Sequence, residues 1–348
     1  MRSTDRKPGA RAQAPSMADV AAVAGVSHQT VSRVLNAPKT VRPDTRERVQ
    51  SAIEQLGYRR NSSARALRTR RTRLIGVVNP GEARFGPANT TMAIEEAARV
   101  AGYATTLAVM RDSQAATVEA ALEFFLGLGV DGIVVIAPVT QVAAAANELA
   151  GSLPVVMVTA GLRPTSKLRV VGVDQELGAY RATRHLIELG HREIIHVSGP
   201  NNWFDARSRI VGWRRALTEA GLEVPPIVPG GWDPVDGFAA ARGMIADGRV
   251  PSSVFAANDL LALGMMRAFH AEGIRVPEDV SVVGFDDTEG AGYYEPPLTT
   301  VRQPFAAVGH RAIEVLLGVI EGESVPSDPI APEVVVRESS GPPREGAP

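Results

Sequence analysis

The sequence predicts a small all-α segment near the N-terminus, followed by a larger α/β core with parallel sheets and helices on both faces. Apolar residues recur at helical spacing between residues 16 and 60, and short apolar runs alternate with helical segments from residue 73 onward. The alternation restarts near residue 173, which indicates two similar lobes. A length of 348 residues also exceeds what one compact core requires.

Charge is distributed unevenly along the chain. Residues 1–73 hold 16 of the 37 Lys and Arg residues but only 5 of the 38 Asp and Glu residues, which leaves 21 basic against 33 acidic residues in the remainder. A basic head on an acidic body favours a polyanionic partner for the head. Charge alone leaves a merely solvated basic surface as an alternative.

Composition excludes several classes of protein. The chain has no cysteine, and its six histidines do not have the spacing of metal ligands, so we expect no disulfide, no metal and no cofactor. No apolar run has the length of a membrane span. The polar, basic residues 1–15 lack the apolar stretch of a secretory signal and are expected to be a disordered tail. We therefore expect a cytoplasmic protein without a membrane partner.

A helix, a short turn containing glycine and a second helix are predicted for residues 16–36. Ser16 and Asp19 have the spacing of a capping box, Gly25 ends the first helix, and Ser27 caps the second. This is the pattern of a helix-turn-helix motif, with an ordinary helical hairpin as the alternative. The outward face of the second helix favours the motif. It carries short polar groups and one arginine, which suit base edges and phosphates: His28, Gln29, Ser32, Arg33 and Asn36.

A third helix is predicted from Pro43 to Gly57, with Asp44 as its cap and Glu47 in the capping-box position. It completes a helix-turn-helix domain over residues 16–60. Residues 61–72 are rich in arginine and contain one large apolar residue, Leu67. They are either a flexible basic linker or a short hinge helix that folds only on DNA, because so short a helix is unstable alone.

The core, residues 73–338, contains short apolar runs of strand length separated by helical segments. Strands are predicted at 74–78, 104–110, 132–136, 154–158, 194–198, 253–257, 281–285 and 333–336. Helices are predicted at 91–101, 114–127, 178–189, 207–220, 234–246, 259–272 and 305–321. In such folds ligands bind outside the carboxyl ends of the strands.

Several strings resemble the LacI/GalR family of transcription regulators: DVAAVAGVSHQTVSRVLN, VRPDTRERV, LGY, NSSARAL and LIGVV, in this order. The resemblance covers about residues 16–338. It implies a type I periplasmic-binding-protein-like core, with lobe 1 at about 73–172 and 303–330 and lobe 2 at about 173–300 and 331–338. Residues 339–348 are then expected to be a disordered tail. The resemblance also implies a homodimer on a near-palindromic operator in double-stranded DNA.

The resemblance implies roles for single residues of the DNA-binding segment. His28, Gln29 and Arg33 would read bases in the major groove. The hinge residues Ala64, Arg65 and Leu67 would lie in the minor groove, with Leu67 inserted between base pairs. The DNA backbone would be bound by small polar residues: Ser16, Thr30, Ser32, Asn36 and Thr45.

The resemblance also implies a carbohydrate site between the lobes, most similar to that of the lactose-repressor-like branch. Arg209 would donate hydrogen bonds to hydroxyls or a carboxylate, Asn258 would bind hydroxyls through its amide, and Asp286 would accept from two adjacent hydroxyls. Trp232 would stack on the apolar face of the sugar, Phe305 would form the floor of the pocket, and Phe85 would face the cleft. The alternative is that these residues have structural roles only: Arg209 would be a surface residue of its helix, Asp286 would cap a turn, and Trp232 would simply be buried. Thr159 and the loop 79–89 depart from the family pattern.

The expected function is a sequence-specific transcriptional repressor whose operator binding is released by a small carbohydrate. A phosphosugar, nucleobase or protein corepressor stays open as the effector, and a sugar-binding transport protein is the alternative of a different class. An enzyme is not expected. The sequence has no phosphate loop, nucleophile elbow or HExxH motif. Asp286 and Asp287 are adjacent and would point apart, unlike a glycosidase pair.

Overall fold

The structure, a computed structural model, describes residues 15–59, 71–81, 84–110, 115–149, 153–162, 164–165 and 168–344. The chain divides into two compact units, Met1–Arg70 and Arg71–Pro348, which we call the headpiece and the core. The predicted hinge residues Ala64, Arg65 and Leu67 lie outside the described residues, as does most of the predicted N-terminal tail.

The headpiece contains the predicted helix-turn-helix. At the first helix, the Asp19 N–H donates to Ser16 Oγ at 3.3 Å and the Ser16 N–H donates to Asp19 Oδ2 at 2.8 Å. Gly25 follows with a φ of 62°, in the left-handed region that glycine adopts without strain. The Thr30 N–H then donates to Ser27 Oγ at 3.1 Å. The helices are α1 Met17–Ala24, α2 His28–Asn36 and α3 Pro43–Leu56.

The start of α3 differs from the prediction. Arg42 is the N-cap residue and makes no side-chain capping bond within the described headpiece, so the assignment of Asp44 as the cap is wrong. Pro43 occupies the first helical position, where its fixed φ suits the helix and its missing N–H is not needed. Asp44 instead lies in the first turn, where a carboxylate favours the positive end of the helix. The three helices share a small apolar core: Val20, Ala21, Ala24, Val31, Val34, Val49 and Ala52.

The first lobe of the core has a five-stranded parallel sheet in the order β2-β1-β3-β4-β5. Its central strand β3 is buried along its whole length, because helices cover both faces. The strands are β1 Leu74–Asn79, β2 Ala104–Val109, β3 Gly132–Ile136, β4 Val155–Val158 and β5 Arg169–Val171. The helices are α4 Phe85–Val100, α5 Ala115–Leu128 and α6 Thr140–Leu149.

The second lobe repeats this arrangement with a four-stranded parallel sheet in the order β7-β6-β8-β9. The predicted two-lobed α/β architecture is therefore confirmed. The strands are β6 Ile194–Ser198, β7 Val228–Pro229, β8 Ser253–Ala256 and β9 Ser281–Val283. The helices are α7 Gln175–Glu188, α8 Phe204–Glu219, α9 Pro234–Ala246 and α10 Asp259–Ala271. None of the helices in the described part of the chain is long and apolar enough to span a membrane.

The described chain crosses between the lobes at three places. Val173, in the first crossing, pairs with Ile330 in the third. The second crossing, β10 Thr300–Arg302, pairs antiparallel with β11 Glu333–Val335. Between these two strands, α11 Phe305–Glu321 returns to the first lobe and shares its apolar core. Residues at the crossings therefore belong to both lobes and lie beside the cleft.

Three sequence predictions need correction. The helix predicted from residue 91 begins at Phe85, and the short strands β5 and β7 were not predicted. The expected disorder from residue 339 is wrong for Ser339, which is fully buried. Its hydroxyl donates to the Val282 carbonyl at 2.6 Å, and its carbonyl accepts from the Val282 N–H at 2.8 Å. Apolar periodicity could not reveal this segment, because hydrogen bonds hold it.

Candidate nucleic-acid interface and ligand pocket

The outward face of α2 is available to a partner. His28, Gln29 and Arg33, the three residues predicted to read bases, are all exposed there. Asn36 closes the helix by donating from Nδ2 to the Ser32 carbonyl at 2.8 Å and to Ser32 Oγ at 3.2 Å. The structure therefore brings the predicted base-reading side chains together on one short helix, as base readout requires.

A concave surface beside α2, which we call the headpiece groove, carries hydroxyl and guanidinium groups. Thr30, Arg33 and Thr45, all predicted DNA contacts, line it together with two arginines that the prediction omitted, Arg42 and Arg48. No acidic residue is among the described residues that line it. Such a set of donors at the N-terminal ends of two helices suits phosphate oxygens. The other lining residues are Val26, Ser27, Thr40 and Val41.

Ser16, also predicted to bind the DNA backbone, lies at the N-terminus of α1. It is not among the described residues that line the headpiece groove. Its hydroxyl donates to Asp19 Oδ2 at 2.8 Å. Hydrogen bonds from the Ser16 backbone and hydroxyl also lower the pKa of Asp19. The Ser16 hydroxyl is thus already used within the helix cap.

A pocket lies between the two lobes of the core, with about 480 Å³ of space including open solvent. Its wall is mostly apolar. The polar lining residues are Thr90, Thr159, Gln175, Asp205 and Gln303; the others are Gly86, Pro87, Ile136, Pro138, Val158, Ala160, Gly172, Val173, Trp203, Phe305 and Val308.

Four buried polar side chains form a closed hydrogen-bonded set at this wall, which we call the polar ring; Gln175 and Gln303 line the pocket, and Arg209 and Asp286 lie behind them. Arg209 Nε donates to Gln175 Oε1 at 3.0 Å, Gln175 Nε2 donates to Gln303 Oε1 at 2.6 Å, and Gln303 Nε2 donates to Asp286 Oδ1 at 2.6 Å. An ion pair of 3.6 Å between Arg209 and Asp286 closes the ring. Arg209 also donates to the Ala257 carbonyl. Buried polar groups that satisfy one another in this way hold a rigid geometry.

Burial governs the electrostatics of the ring. It raises the pKa of Asp286 to about 6, although Arg209 and the Gln303 hydrogen bond lower it. Burial and then the charge of Asp286 raise the pKa of nearby Asp259 to about 7, although Thr300 donates to its Oδ1 at 2.5 Å. The Arg209 guanidinium lies 3.8 Å from the centroid of the Phe285 ring. A cation on an aromatic face is favourable where water is excluded.

Asp286 and Asp287 have different partners, as predicted for adjacent residues. Their φ angles are 117° and 53°, both in a region that non-glycine residues seldom adopt. Asp286 faces the polar ring, whereas Asp287 accepts from Arg302 Nε at 2.6 Å and from Arg337 Nη2 at 2.7 Å. The second carboxylate therefore belongs to the crossing strands rather than to the pocket.

Three of the predicted effector residues stand back from the pocket wall or support it. Trp232 is 7% exposed and packs edge-on against Trp203, with ring centroids 5.3 Å apart. Asn258 caps α10 through Oδ1 and donates from Nδ2 to the Trp232 carbonyl at 3.1 Å. Phe85 packs edge-on against Phe305 at 5.7 Å. Of the six predicted effector residues, Phe305 alone is among the described residues that line the pocket.

Four residues of the site were not predicted from the sequence: Gln175, Gln303, Trp203 and Asp205. Gln303 lies two positions before Phe305, and Trp203 and Asp205 precede Arg209 by six and four positions. Proximity in the chain to Phe305 and Arg209 is the signal that could have indicated these three residues. Gln175 had no such signal, because an isolated glutamine at the start of a helix has no distinctive spacing.

The lobes touch directly at the edge of the pocket. The Phe204 N–H donates to the Pro138 carbonyl at 2.9 Å. Arg84, just before α4, forms a 2.5 Å ion pair with Asp233, just before α9. No group of three His, Cys, Asp or Glu side chains within the described residues could hold a metal ion.

Comparisons with known proteins agree with both halves of the molecule. Residues 16–61 match the model of bacterial regulatory proteins of the lacI family, and residues 183–340 match a periplasmic binding protein-like domain. The chain is 34% identical over 320 residues to the lactose operon repressor of Escherichia coli (strain K12), covering 92% of this chain and 88% of that one. It is 35% identical over 330 residues to the HTH-type transcriptional repressor PurR of Haemophilus influenzae, covering 92% and 97%.

Solved structures are similar over nearly the whole chain. The lac repressor dimer bound to operator and the anti-inducer ONPF superposes with a TM-score of 0.83 at 32% identity, covering 94% of this chain and 100% of that one. A complex of the transcriptional regulator CelR with cellobiose gives a TM-score of 0.69 at 33% identity, covering 93% and 99%.

Proposed function

The chain belongs to the lacI family of bacterial regulatory proteins and is a DNA-binding transcriptional repressor, and we propose that a small carbohydrate bound between the lobes of its core releases it from its operator. The observation that carries the proposal is the polar ring. Its Arg209 and Asp286, at motif positions carried over from the family, are joined to the pocket wall through Gln175 and Gln303.

The chemistry of the pocket supports a sugar. Amide and carboxylate groups bind hydroxyls, and aromatic walls accept the apolar faces of a sugar ring. Gln175, Gln303 and Asp205 supply the polar groups, and Trp203 and Phe305 supply the aromatic ones. The similarity to CelR in complex with cellobiose adds support.

On the DNA side, we assign base readout to His28, Gln29 and Arg33, and backbone contacts to Thr30 and Thr45 in the headpiece groove. The proposed backbone contacts further include Ser16, Ser32 and Asn36, with Ala64, Arg65 and Leu67 in the minor groove. The similarity to a lac repressor dimer on its operator favours a homodimer on a near-palindromic site.

Release requires that sugar and operator prefer different arrangements of the core. The coupling is then reciprocal, so that a sugar which weakens operator binding is itself bound more weakly by the operator complex. Coupling free energies are typically about 1–3 kcal/mol, which corresponds to a change of about 5- to 150-fold in affinity. Induction of this size is what we expect.

The test is fluorescence anisotropy of a labelled pool of near-palindromic operators, titrated with the full chain at fixed salt and then challenged with mono- and disaccharides. Specific binding released by one sugar supports both parts of the proposal. Specific binding that no sugar alters refutes the carbohydrate effector. The absence of specific binding would contradict the role assigned to the headpiece.

Two variants assign the effect to its residues. Asp286→Ala should abolish the sugar response and leave operator binding intact, with Asp247→Ala, an exposed acid after α9, as the matched control. Leu67→Ala should weaken specific DNA binding much more than non-specific binding. An unchanged sugar dose curve for Asp286→Ala, or an equal loss on both DNAs for Leu67→Ala, would contradict the respective role.

A nucleobase is the second candidate effector. The similarity to PurR is as high as that to the lactose operon repressor, and the side-chain amides of Gln175 and Gln303 can pair with the polar edge of a base as well as with hydroxyls. Adenine, guanine and hypoxanthine therefore belong in the ligand panel. Release by one of them, with no response to sugars, would favour this candidate.

A further inference from the structure

The charge of the pocket points to a narrower class of ligand than the family alone provides. We propose that the pocket selects uncharged polyhydroxylated ligands over anionic ones such as phosphorylated sugars, and that Asp205 is the residue that sets this preference. The inference rests on the proposed carbohydrate effector, because it concerns which carbohydrates the same pocket accepts.

Asp205 is the one charged side chain among the described residues that line the pocket. It is the second residue of α8 and lies on the wall contributed by the second lobe. It accepts no hydrogen bond and forms no ion pair with any residue in the described part of the chain. Burial raises the pKa of Asp205, and the charge of Arg209 lowers it. Asp205 thus has no hydrogen-bonding partner among the described residues, and it lies where a ligand would sit.

The nearest cation is already committed to other groups. Arg209 donates to Gln175 and to the Ala257 carbonyl and is paired with Asp286. Asp205 and Asp259 also act on its charge. The single positive charge of Arg209 is therefore shared among three carboxyl groups, those of Asp286, Asp205 and Asp259. It can neutralise little of the charge of a further anion in the pocket.

Helix ends make the role of Asp205 more specific. Residues in the first turns of four helices line the pocket: Gly86 of α4, Gln175 of α7, Asp205 of α8 and Phe305 of α11. The N-terminal end of a helix carries a partial positive charge and favours anions. Without Asp205 this convergence of helix ends would favour an anionic ligand. Asp205 places a carboxyl group among these ends. Although burial raises the pKa of Asp205, an anion bound beside it must either face the negative charge of this carboxyl group or keep it protonated, and both oppose the anion.

The same carboxylate favours hydroxyls. A charged acceptor forms a shorter and stronger hydrogen bond with a hydroxyl donor than a neutral acceptor does. A phosphate group carries about −1.5 to −2 charges at neutral pH and no comparable set of donors, so it meets repulsion where an uncharged sugar meets an acceptor. Asp205 therefore acts in both directions, by attracting the hydroxyls and repelling the phosphate.

Matched ligand pairs test the inference. Calorimetry would measure the affinity of the full chain for glucose against glucose 6-phosphate, and for galactose against galactose 6-phosphate. We expect at least one uncharged sugar to bind at least about tenfold more tightly than its phosphate, which corresponds to about 1.4 kcal/mol. Asp205→Asn should reduce that ratio at least about fivefold, while the matched variant Asp247→Asn should leave it unchanged. Thermal unfolding of each variant would confirm that it is folded.

The outcomes separate this inference from the proposed function. A phosphorylated sugar that binds as tightly as its uncharged partner, and releases the operator, overturns the charge preference but leaves the carbohydrate-responsive repressor standing. An unchanged ratio in Asp205→Asn overturns the role of Asp205. Failure of every sugar to bind or to release the operator overturns both proposals together.

Discussion

Removal of the Arg209 side-chain charge is the perturbation that tests the polar ring most directly. Arg209→Met keeps the length and most of the apolar contact of the side chain but leaves Asp286 buried without its cation. Loss of one partner from a buried ion pair typically destabilises a protein by about 3–5 kcal/mol. Arg209 is 2% exposed and Asp286 is 8% exposed, so water can compensate little of this loss. We expect a decrease of about this size in the unfolding free energy at pH 8.

The decrease should depend on pH in a definite direction. The pKa of Asp286 is about 6 in the folded protein against an ordinary 3.8. The folded state therefore binds a proton that the unfolded chain releases between these values, and this carboxyl's contribution to stability falls as the pH rises from about 4 to about 6. The charge of Arg209 lowers the pKa of Asp286, so the pKa is higher in Arg209→Met. The fall in stability therefore extends to higher pH in this variant. At pH 5 Asp286 is protonated in the variant, so the destabilisation should be smaller there by at least about 1.4 kcal/mol, the equivalent of one pKa unit.

Urea unfolding at pH 5 and pH 8, followed by tryptophan fluorescence, measures this effect. All three tryptophans, Trp203, Trp213 and Trp232, belong to the core, so the signal reports the core alone. Arg214→Met, an exposed change on the same helix, is the control and should shift the unfolding free energy by no more than about 0.5 kcal/mol. Equal destabilisation by Arg209→Met at both pH values would refute the charge-based reasoning and leave packing as the cause.

Three further predictions concern other parts of the molecule. Arg42→Ala should weaken binding to all DNA sequences about equally and reduce the slope of log affinity against log salt by about 0.9; anisotropy titrations that give an unchanged slope would exclude a phosphate contact. Asp233→Asn removes the half-exposed ion pair with Arg84, worth about 0–1 kcal/mol, so calorimetry should record at most about a fivefold loss of sugar affinity, and a larger loss would mean that this pair holds the lobes together. Gly212→Ala would place a Cβ onto the Glu176 carbonyl where α7 and α8 meet and should lower the unfolding free energy by about 1–3 kcal/mol; an unchanged urea midpoint would mean that the two helices separate freely.

Helices with clear end signals are predictable from the sequence to the residue. The predicted ranges 234–246 and 305–321 are the observed bounds of α9 and α11. Pro234 stands in the first turn of α9, and Gly322 follows α11 in the left-handed conformation. The start of α4 was missed because Gly86 and Pro87 have the composition of a loop. A proline within the first turn breaks no hydrogen bond of the helix, so tertiary packing could extend α4 backward over them.

The site was predictable only where a local motif preceded the residue. Arg209 and Asp286 were identified from their neighbours in the chain, and the structure places them 3.6 Å apart. Gln175 and Gln303 are separated by 128 positions and meet through a hydrogen bond. No local pattern encodes such a contact, because it depends on how three chain crossings fold between the lobes. Asn258 was identified from its motif, yet its amide caps a helix and supports Trp232, which a motif alone could not distinguish from ligand binding.

The strained pair Asp286 and Asp287 connects the pocket to the crossing strands. Each has a positive φ, a conformation that costs a residue about 1–3 kcal/mol unless its surroundings enforce it. Gln303 fixes Asp286 on the side of the polar ring, and Arg302 and Arg337 fix Asp287 on the side of β10 and β11. A ligand that draws Gln303 or Asp286 toward itself would therefore change the backbone strain at the neighbouring Asp287, the residue that anchors both strands. Because those strands join the lobes, we expect occupancy of the pocket to be linked to the arrangement of the lobes through them. This link is the physical basis on which we expect a sugar to alter operator binding.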